Sequence, residues 1–196
     1  MERPASIARG FTLIEMMVAV AIFTIVMLIA VGSLLSLVTV NARAESIHSV
    51  MNNLNAALET MARNIRTGQD YHCGSGGLIT NPKDCQTGLK YFAYLPSGAD
   101  PSDSSDRVVY YYDQNQSRIE RCESNCVNNP QFISITAPEV TIDSMQFYVT
   151  GTTVCGSSQP RVLISIHGYA KVPGGTTEFR VQTGITQRVL SVCPSS

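Results

Sequence analysis

The chain has 196 residues, of which 44% are hydrophobic and only 15% charged, with 14 basic against 15 acidic side chains. This length predicts one domain, with or without an appended segment. A charge balance near zero, with no basic run in the sequence, argues against a general binder of nucleic acids or anionic membranes. The apolar fraction argues against a disordered chain.

Apolar residues are concentrated near the N-terminus, where the 27 residues from Met16 to Ala42 carry no charge. A helix of that length measures about 40 Å at ~1.5 Å per residue, which exceeds the ~30 Å hydrocarbon core of a bilayer. Beyond Arg43 the composition turns polar. The sequence therefore predicts one membrane-spanning segment.

Two ordinary interpretations of this segment, a secretory signal and a plain anchor, stay open beside a third that is described below. A secretory signal has a small-x-small cleavage site, which Ala42-Arg43-Ala44 fits, but its apolar core runs to only ~7–15 residues. A plain uncleaved anchor explains the length. It does not explain residues 9–15, where a glycine-aromatic junction precedes the apolar run and a single carboxylate follows.

The heptapeptide from Gly10 to Met16, GFTLIEM, resembles the class III signal of type IV prepilins and type II secretion pseudopilins, and the resemblance extends over residues 9–31. It implies that prepilin peptidase cuts between Gly10 and Phe11 on the cytoplasmic side and methylates the new amino group of Phe11. It also implies that Glu15 pairs with the Phe11 amine of a neighbouring subunit when a filament assembles.

Elementary physics agrees with these implications. Glycine has no Cβ, so an extended backbone at Gly10 can enter a protease groove. Arg3 and Arg9 hold the leader in the cytoplasm by the positive-inside rule. A charge such as Glu15 costs at least ~2.5–3.5 kcal/mol at the bilayer centre, and less near the edge, so it usually marks a partner. The alternative is that Glu15 merely lies at the level of the headgroups.

A helical stripe continues beyond Arg43, with apolar residues at spacings of three and four: Ile47, Val50, Leu54, Leu58, Met61 and Ile65. Gly68 is the predicted stop, and Arg63 and Arg66 in the last turns complement the negative helix end. We predict a helix over residues 11–67, membrane-spanning over 11–42 and amphipathic over 43–67. Gly32-Ser33 is its weakest point.

From about residue 88 the pattern changes to strands. Six segments rich in β-branched and aromatic residues are separated by turn residues: Leu89–Leu95, Arg107–Tyr112, Phe132–Thr136, Val140–Thr150, Arg161–Val172 and Thr177–Leu190. We expect one antiparallel sheet packed on the helical stripe, in an extracytoplasmic head over residues 68–196. With a cleaved leader over residues 1–10, the predicted fold class is α+β, in the pilin architecture.

Two further stretches resemble particular members of this family. Residues 61–66, followed by Cys73-Gly74, are similar to the helix end of W-type minor pilins and J-type pseudopilins, and residues 182–188 are similar to their last strand. The resemblance implies a structural subunit of a type IV pilus or type II secretion pseudopilus. Such a subunit is a single-pass protein of the bacterial inner membrane, with its head outside the cytoplasm, before it enters the filament.

The partners implied by the resemblance are prepilin peptidase, other pilin or pseudopilin subunits, the inner-membrane assembly platform and, before assembly, membrane lipid. No specific nucleic-acid partner is inferred. Two other functions stay open. One is a filament-displayed adhesin, for which Tyr91, Tyr94 and Tyr110–Tyr112 could form a binding surface, although strand tyrosines usually pack in cores. The other is a DNA-uptake (competence) pseudopilin, which shares the subunit design.

Six cysteines, an even number in an exported head, predict disulfides: Cys73, Cys85, Cys122, Cys126, Cys155 and Cys193. The sequence permits fifteen pairings. The pairing we expect is Cys73–Cys85, Cys122–Cys126 and Cys155–Cys193, two local clips and one that ties down the C-terminus. Zinc at Cys122-x-x-x-Cys126 is the alternative, disfavoured because no second close pair follows and the compartment is oxidising.

The sequence shows no catalytic constellation: it contains no G-x-S-x-G elbow, phosphate loop or H-E-x-x-H motif. We interpret the isolated histidines as structural: His48, His72 and His167. Three carboxylates could gather calcium, although their spacing differs from the EF-hand loop: Asp100, Asp103 and Asp106. We therefore expect no catalytic residue, no cofactor and no bound metal, and a chain that is a substrate of enzymes rather than an enzyme.

Overall fold

The computed structural model describes residues 10–75, 79–153 and 158–188. Within these ranges the chain forms one long helix, α1 (Leu13–Thr67), and strands β1 (Gln69–Cys73), β2 (Cys85–Leu89), β3 (Tyr91–Leu95), β4 (Val108–Asp113), β5 (Arg118–Cys122), β6 (Ile133–Ser134), β7 (Val140–Thr150), β8 (Arg161–Val172) and β9 (Gly175–Thr186). A 3₁₀ turn spans Ser104–Asp106. A long apolar N-terminal helix followed by antiparallel sheets confirms the predicted α+β, pilin-like layout.

The chain divides into two compact units between Ala44 and Glu45. In the first unit, the large hydrophobic side chains of the helix are all exposed, from 48% at Met27 to 79% at Leu13. α1 is long and apolar enough to cross a membrane. It runs without a break through Gly32-Ser33, the predicted weak point.

The second unit contains two antiparallel sheets, so the expectation of one sheet was wrong. One sheet has the order β1-β3-β4-β5-β6 and the other β2-β7-β8-β9. The predicted run Leu89–Leu95 hides the division, because β2 ends at Leu89 and β3 begins at Tyr91 in the other sheet. β1, β2 and β5 were not predicted, since each mixes polar residues with cysteine or glycine and lacks a clear period.

The hydrophobic core of the second unit joins α1 to both sheets. Val50, Leu54, Leu58, Met61 and Ile65 are buried and belong to one cluster with residues of both sheets. The Phe92 ring of β3 stacks on the Phe147 ring of β7 with centroids 5.3 Å apart. Burial of each such side chain contributes about 1.5–3 kcal/mol, so the stripe of α1 is an integral part of this core.

α1 ends at Thr67, directly before Gly68, as predicted. The Gly68 N–H donates to the carbonyls of Asn64 and Ile65, both at 3.0 Å. The Tyr71 hydroxyl also donates to the Ile65 carbonyl, at 2.6 Å. A Cβ at Gly68 would overlap the ring of Tyr94. Glycine is therefore required by the close approach of an aromatic side chain.

Gly68→Ala is expected to destabilise the head by about 1–3 kcal/mol, because the added methyl group overpacks the space against Tyr94. Urea unfolding of the full chain in detergent, followed by the fluorescence of its tyrosines, measures this loss. The matched control is Gly184→Ala, whose Cβ would lie 3.9 Å from the nearest side-chain atom of Leu163. Both changes reduce backbone freedom in the unfolded chain, so equal stabilities of the two variants would contradict the overlap.

Candidate functional site

Residues 10–12, immediately before α1, form an exposed stretch that ends in a helix cap. Gly10 and Phe11 are exposed, and a Cβ at Gly10 would meet no atom within 4 Å. The Thr12 hydroxyl accepts the backbone N–H of Glu15 at 3.3 Å. Because a capping residue lies outside the helix proper, α1 begins at Leu13 and not at the expected Phe11. The spacing T-x-x-E of a capping box could have revealed this start.

Glu15 lies exposed in the first turn of α1. A carboxylate there interacts favourably with the positive end of the helix dipole. Among the described residues, no cation forms an ion pair with this carboxylate. It is therefore available to a charged group of another molecule.

The cysteines of the described residues form two disulfides. Cys73–Cys85 joins β1 to β2, with Cα atoms 5.7 Å apart, and so links the two sheets covalently. Cys122–Cys126 closes the end of β5 on the following turn, with Cα atoms 5.8 Å apart. A disulfide leaves neither cysteine as a thiolate, so this pair cannot ligate zinc in the oxidised chain. Cys155 and Cys193, the third expected pair, lie outside the described residues.

The three aspartates that were considered as calcium ligands accept hydrogen bonds from within their own loop, residues 100–106. Asp100 accepts the N–H of Ser102 at 2.9 Å and its hydroxyl at 2.7 Å, and Asp103 accepts the N–H of Ser105 at 2.7 Å. These hydrogen bonds hold the pKa of both aspartates below the usual range. Asp106 accepts the N–H of Asp100 at 3.1 Å. The described residues contain no cluster of three or more potential ligands placed to hold a metal.

The tyrosines considered for a binding surface divide between the core and a shallow cavity. Tyr94, Tyr110 and Tyr112 are at most 3% exposed and belong to the core. Burial raises the pKa of Tyr94 and of Tyr112. Only Tyr91 and Tyr111 are half-buried, and they line a cavity of about 290 Å3. The five tyrosines therefore do not form one surface.

His167 ties three strands together, which sequence reasoning missed. Its Nδ1 lies 2.9 Å from Asp143 Oδ2 on β7, and its Nε2 lies 2.9 Å from Glu178 Oε1 on β9. Hydrogen bonds from Arg180 and His167 lower the pKa of Glu178. The register shift in β7 falls between Ile142 and Ser144, at Asp143. No local pattern in the sequence predicts a contact between side chains on three different strands.

The other two histidines do not take part in the contacts between His167, Asp143 and Glu178. His72 is 2% exposed, and its Nδ1 lies 2.7 Å from the carbonyl oxygen of Asn81. His48 lies exposed on α1. The described residues therefore do not bring the three histidines together into one site.

Comparison with known proteins identifies the N-terminal segment. The family model described as the prokaryotic N-terminal methylation motif matches residues 6–31. Neither the curated proteins nor the solved structures gave a significant match. The motif indicates a precursor of the pilin or pseudopilin type, processed by prepilin peptidase, and a structural subunit rather than an enzyme. The matched motif and the α+β layout together support the type IV pilin and pseudopilin family for this chain.

Proposed function

We propose that this chain is a minor pilin or pseudopilin that prepilin peptidase processes and that assembles through its N-terminal helix into a type IV pilus or a type II secretion pseudopilus. One observation carries the proposal: an exposed Gly10–Phe11 bond stands before a capped helix whose first turn bears Glu15, a carboxylate with no ion-pair partner among the described residues. The large apolar side chains that follow on α1, from Leu13 to Val40, are exposed and require lipid or other helices around them.

Processing at this bond follows from its position. A protease binds its substrate as an extended chain, and the Thr12 cap starts the helix only after Phe11. Arg3 and Arg9 precede the bond and keep the leader in the cytoplasm. Cleavage creates a new amino group on Phe11, which the same enzyme methylates.

Assembly then uses two different forces. The exposed apolar side chains of α1 exchange lipid contacts for contacts with neighbouring helices, which gives adhesion without a fixed register. The Glu15 carboxylate and a neighbour's Phe11 amine supply the register. Opposite charges ~4 Å apart attract by ~4 kcal/mol at an effective dielectric constant of ~20.

The assignment to a minor subunit rests on two segments that the structure brings together. Residues 61–66 form the last turns of α1, and residues 182–186 end β9. The backbone N–H of Arg188 donates to the Arg66 carbonyl at 2.8 Å and so joins the residues that follow β9 to the end of α1. The similarity to W-type minor pilins and J-type pseudopilins rests on the sequences of these two segments.

Glu15→Gln tests the assembly step, because it removes the charge and keeps the shape of the side chain. We expect cleavage at Gly10 and membrane insertion to persist while incorporation into sheared, pelleted filaments falls about tenfold or more, since ~1.4 kcal/mol corresponds to a factor of ten. Quantitative immunoblotting of filament and membrane fractions measures the ratio. Glu45→Gln, an exposed carboxylate on the same helix, is the matched control and should assemble normally. Equal incorporation of Glu15→Gln and the parent chain would show that Glu15 is only a headgroup-level residue.

A further inference from the structure

The head contains an open cavity of about 530 Å3, lined by residues from several strands and the segments that connect them. Its walls come from the turn between β4 and β5, the start of β5, the end of β6 with the segment after it, the start of β7 and the end of β8. The residues with chemistry to offer are two cations and four hydroxyl side chains: Arg118, Lys171, Ser117, Ser134, Thr136 and Thr141. None of the lining residues is acidic.

The cations of this cavity keep free binding capacity. Arg118 uses its Nε to donate to Glu120 Oε1 at 2.8 Å, which leaves the two terminal nitrogens of the guanidinium without a partner among the described residues. The Lys171 ammonium likewise has no carboxylate within ion-pair distance in the described ranges. Since Glu120 offsets one of the two positive charges, the site carries a net charge of about +1, which matches a single carboxylate.

The hydroxyl groups of the cavity add neutral hydrogen-bonding capacity. The Thr136 hydroxyl accepts the N–H of Ile119 at 3.3 Å, and the Ser134 hydroxyl donates to the Thr136 carbonyl at 3.1 Å. The hydroxyls of Ser117 and Thr141 have no partner among the described residues. Each can donate one hydrogen bond and accept others, which suits a ligand that carries several hydroxyl groups.

Backbone hydrogen bonds also hold the walls of the cavity in place. Ile142 N–H donates to the Ser117 carbonyl at 2.8 Å, Ile135 N–H to the Ile119 carbonyl at 2.9 Å, and Lys171 N–H to the Glu139 carbonyl at 3.1 Å. A ligand therefore meets a site that is already formed. Preorganisation of this kind lowers the entropic cost of binding.

We propose that this cavity binds a monoanionic sugar acid of the hexuronate class. The guanidinium fork of Arg118 and the ammonium of Lys171 hold the carboxylate, and the free hydroxyls bind the hydroxyl groups of the ring. The volume lies within the range of small-molecule sites and accommodates a sugar of one or two rings. This site goes beyond the proposed subunit function, because assembly through α1 makes no use of it.

Ligand-observed NMR titration of the full mature chain tests the proposal. The protein is held in a polyoxyethylene detergent, whose headgroup contains no sugar that could compete. We expect glucuronate to bind with Kd of the order of 1 mM, which is ordinary for so small a ligand, and glucose not to bind. A short oligouronate presented in parallel distinguishes a free sugar acid from the end of a polysaccharide, and binding of either one supports the site.

Lys171→Ala is the decisive variant, and it is expected to weaken glucuronate binding about tenfold or more by removing a charge-assisted contact. Lys90→Ala, which removes a lysine outside the cavity, should bind like the parent chain. Tyrosine fluorescence during urea unfolding verifies that both variants fold. The proposal is overturned if the parent chain binds neither glucuronate nor the oligouronate, if Lys171→Ala binds as well as Lys90→Ala, or if inorganic phosphate displaces the bound sugar acid at equal concentration, which would indicate a general anion site.

Discussion

Gly10→Val is expected to leave the chain as a full-length precursor that retains residues 1–10 and carries no methyl group on Phe11. In the chain itself, a Cβ added at position 10 would meet no atom within 4 Å, so the fold has room for the branched side chain of valine. The loss therefore falls on the protease, whose groove must accept an extended backbone at this position without a Cβ. Intact-mass spectrometry of the membrane fraction distinguishes the precursor from the shortened, methylated chain.

Gly32→Val is the matched control for this experiment. It makes the same change on α1, at a position where an added Cβ also meets no atom within 4 Å, and it should be processed normally. Complete processing of Gly10→Val would contradict the assignment of the cleavage site to the Gly10–Phe11 bond. A mature chain that begins at Glu45 would instead support the secretory-signal interpretation of residues 42–44.

The N-terminal half of the fold could be predicted because its signals are local. An uncharged run of 27 residues and a 3.6-residue stripe require no knowledge of distant partners. The end of α1 at Thr67 followed from Gly68. The start at Leu13 was placed two residues too early because the hydrogen bond of the Thr12 side chain was not considered.

The arrangement of the head could be predicted only in outline. Strong strands such as β7 and β8 were found with their observed bounds, but which sheet a strand joins depends on contacts far along the chain. Lys90 shows the difficulty: it separates two strands that belong to different sheets within an apparently single apolar run. The covalent link Cys73–Cys85 spans the same division.

The sites of the head were the least predictable, since each gathers residues from several segments. The cavity between Ser117 and Lys171 spans more than fifty positions, and His167 meets carboxylates from two other strands. Arg107 illustrates the same limit. It was predicted merely to open a strand, yet its side chain is 0% exposed.

The buried guanidinium of Arg107 fastens three segments of the head. It donates to the Asp70 carbonyl at 2.9 Å, and to the carbonyls of Thr80 and Pro101, both at 3.2 Å. The ion pair with Asp70 is longer, at 3.5 Å, and that carboxylate is one-third exposed. Desolvation lowers the pKa of Arg107, and the nearby Asp70 opposes that shift. The carbonyl contacts are therefore the main reason that this charge is tolerated inside the head.

Arg107→Met is expected to lower the free energy of unfolding by about 3–5 kcal/mol, because it leaves the three carbonyl groups without their buried donor while preserving most of the apolar volume. Urea unfolding of the full chain in detergent, with an unchanged dependence on denaturant, measures the loss as a shift in midpoint. Arg180→Met is the control, since that side chain is 77% exposed and pairs with Glu178 at the surface, where removal of a partner costs about 0–1 kcal/mol. The stability of Arg107→Lys should lie between those of the two methionine variants. A lysine retains the charge but lacks the planar guanidinium that reaches all three carbonyls at once. If Arg107→Met unfolds at the same midpoint as Arg180→Met, the three segments are held by their backbone and apolar contacts alone, and the guanidinium of Arg107 does not stabilise the head.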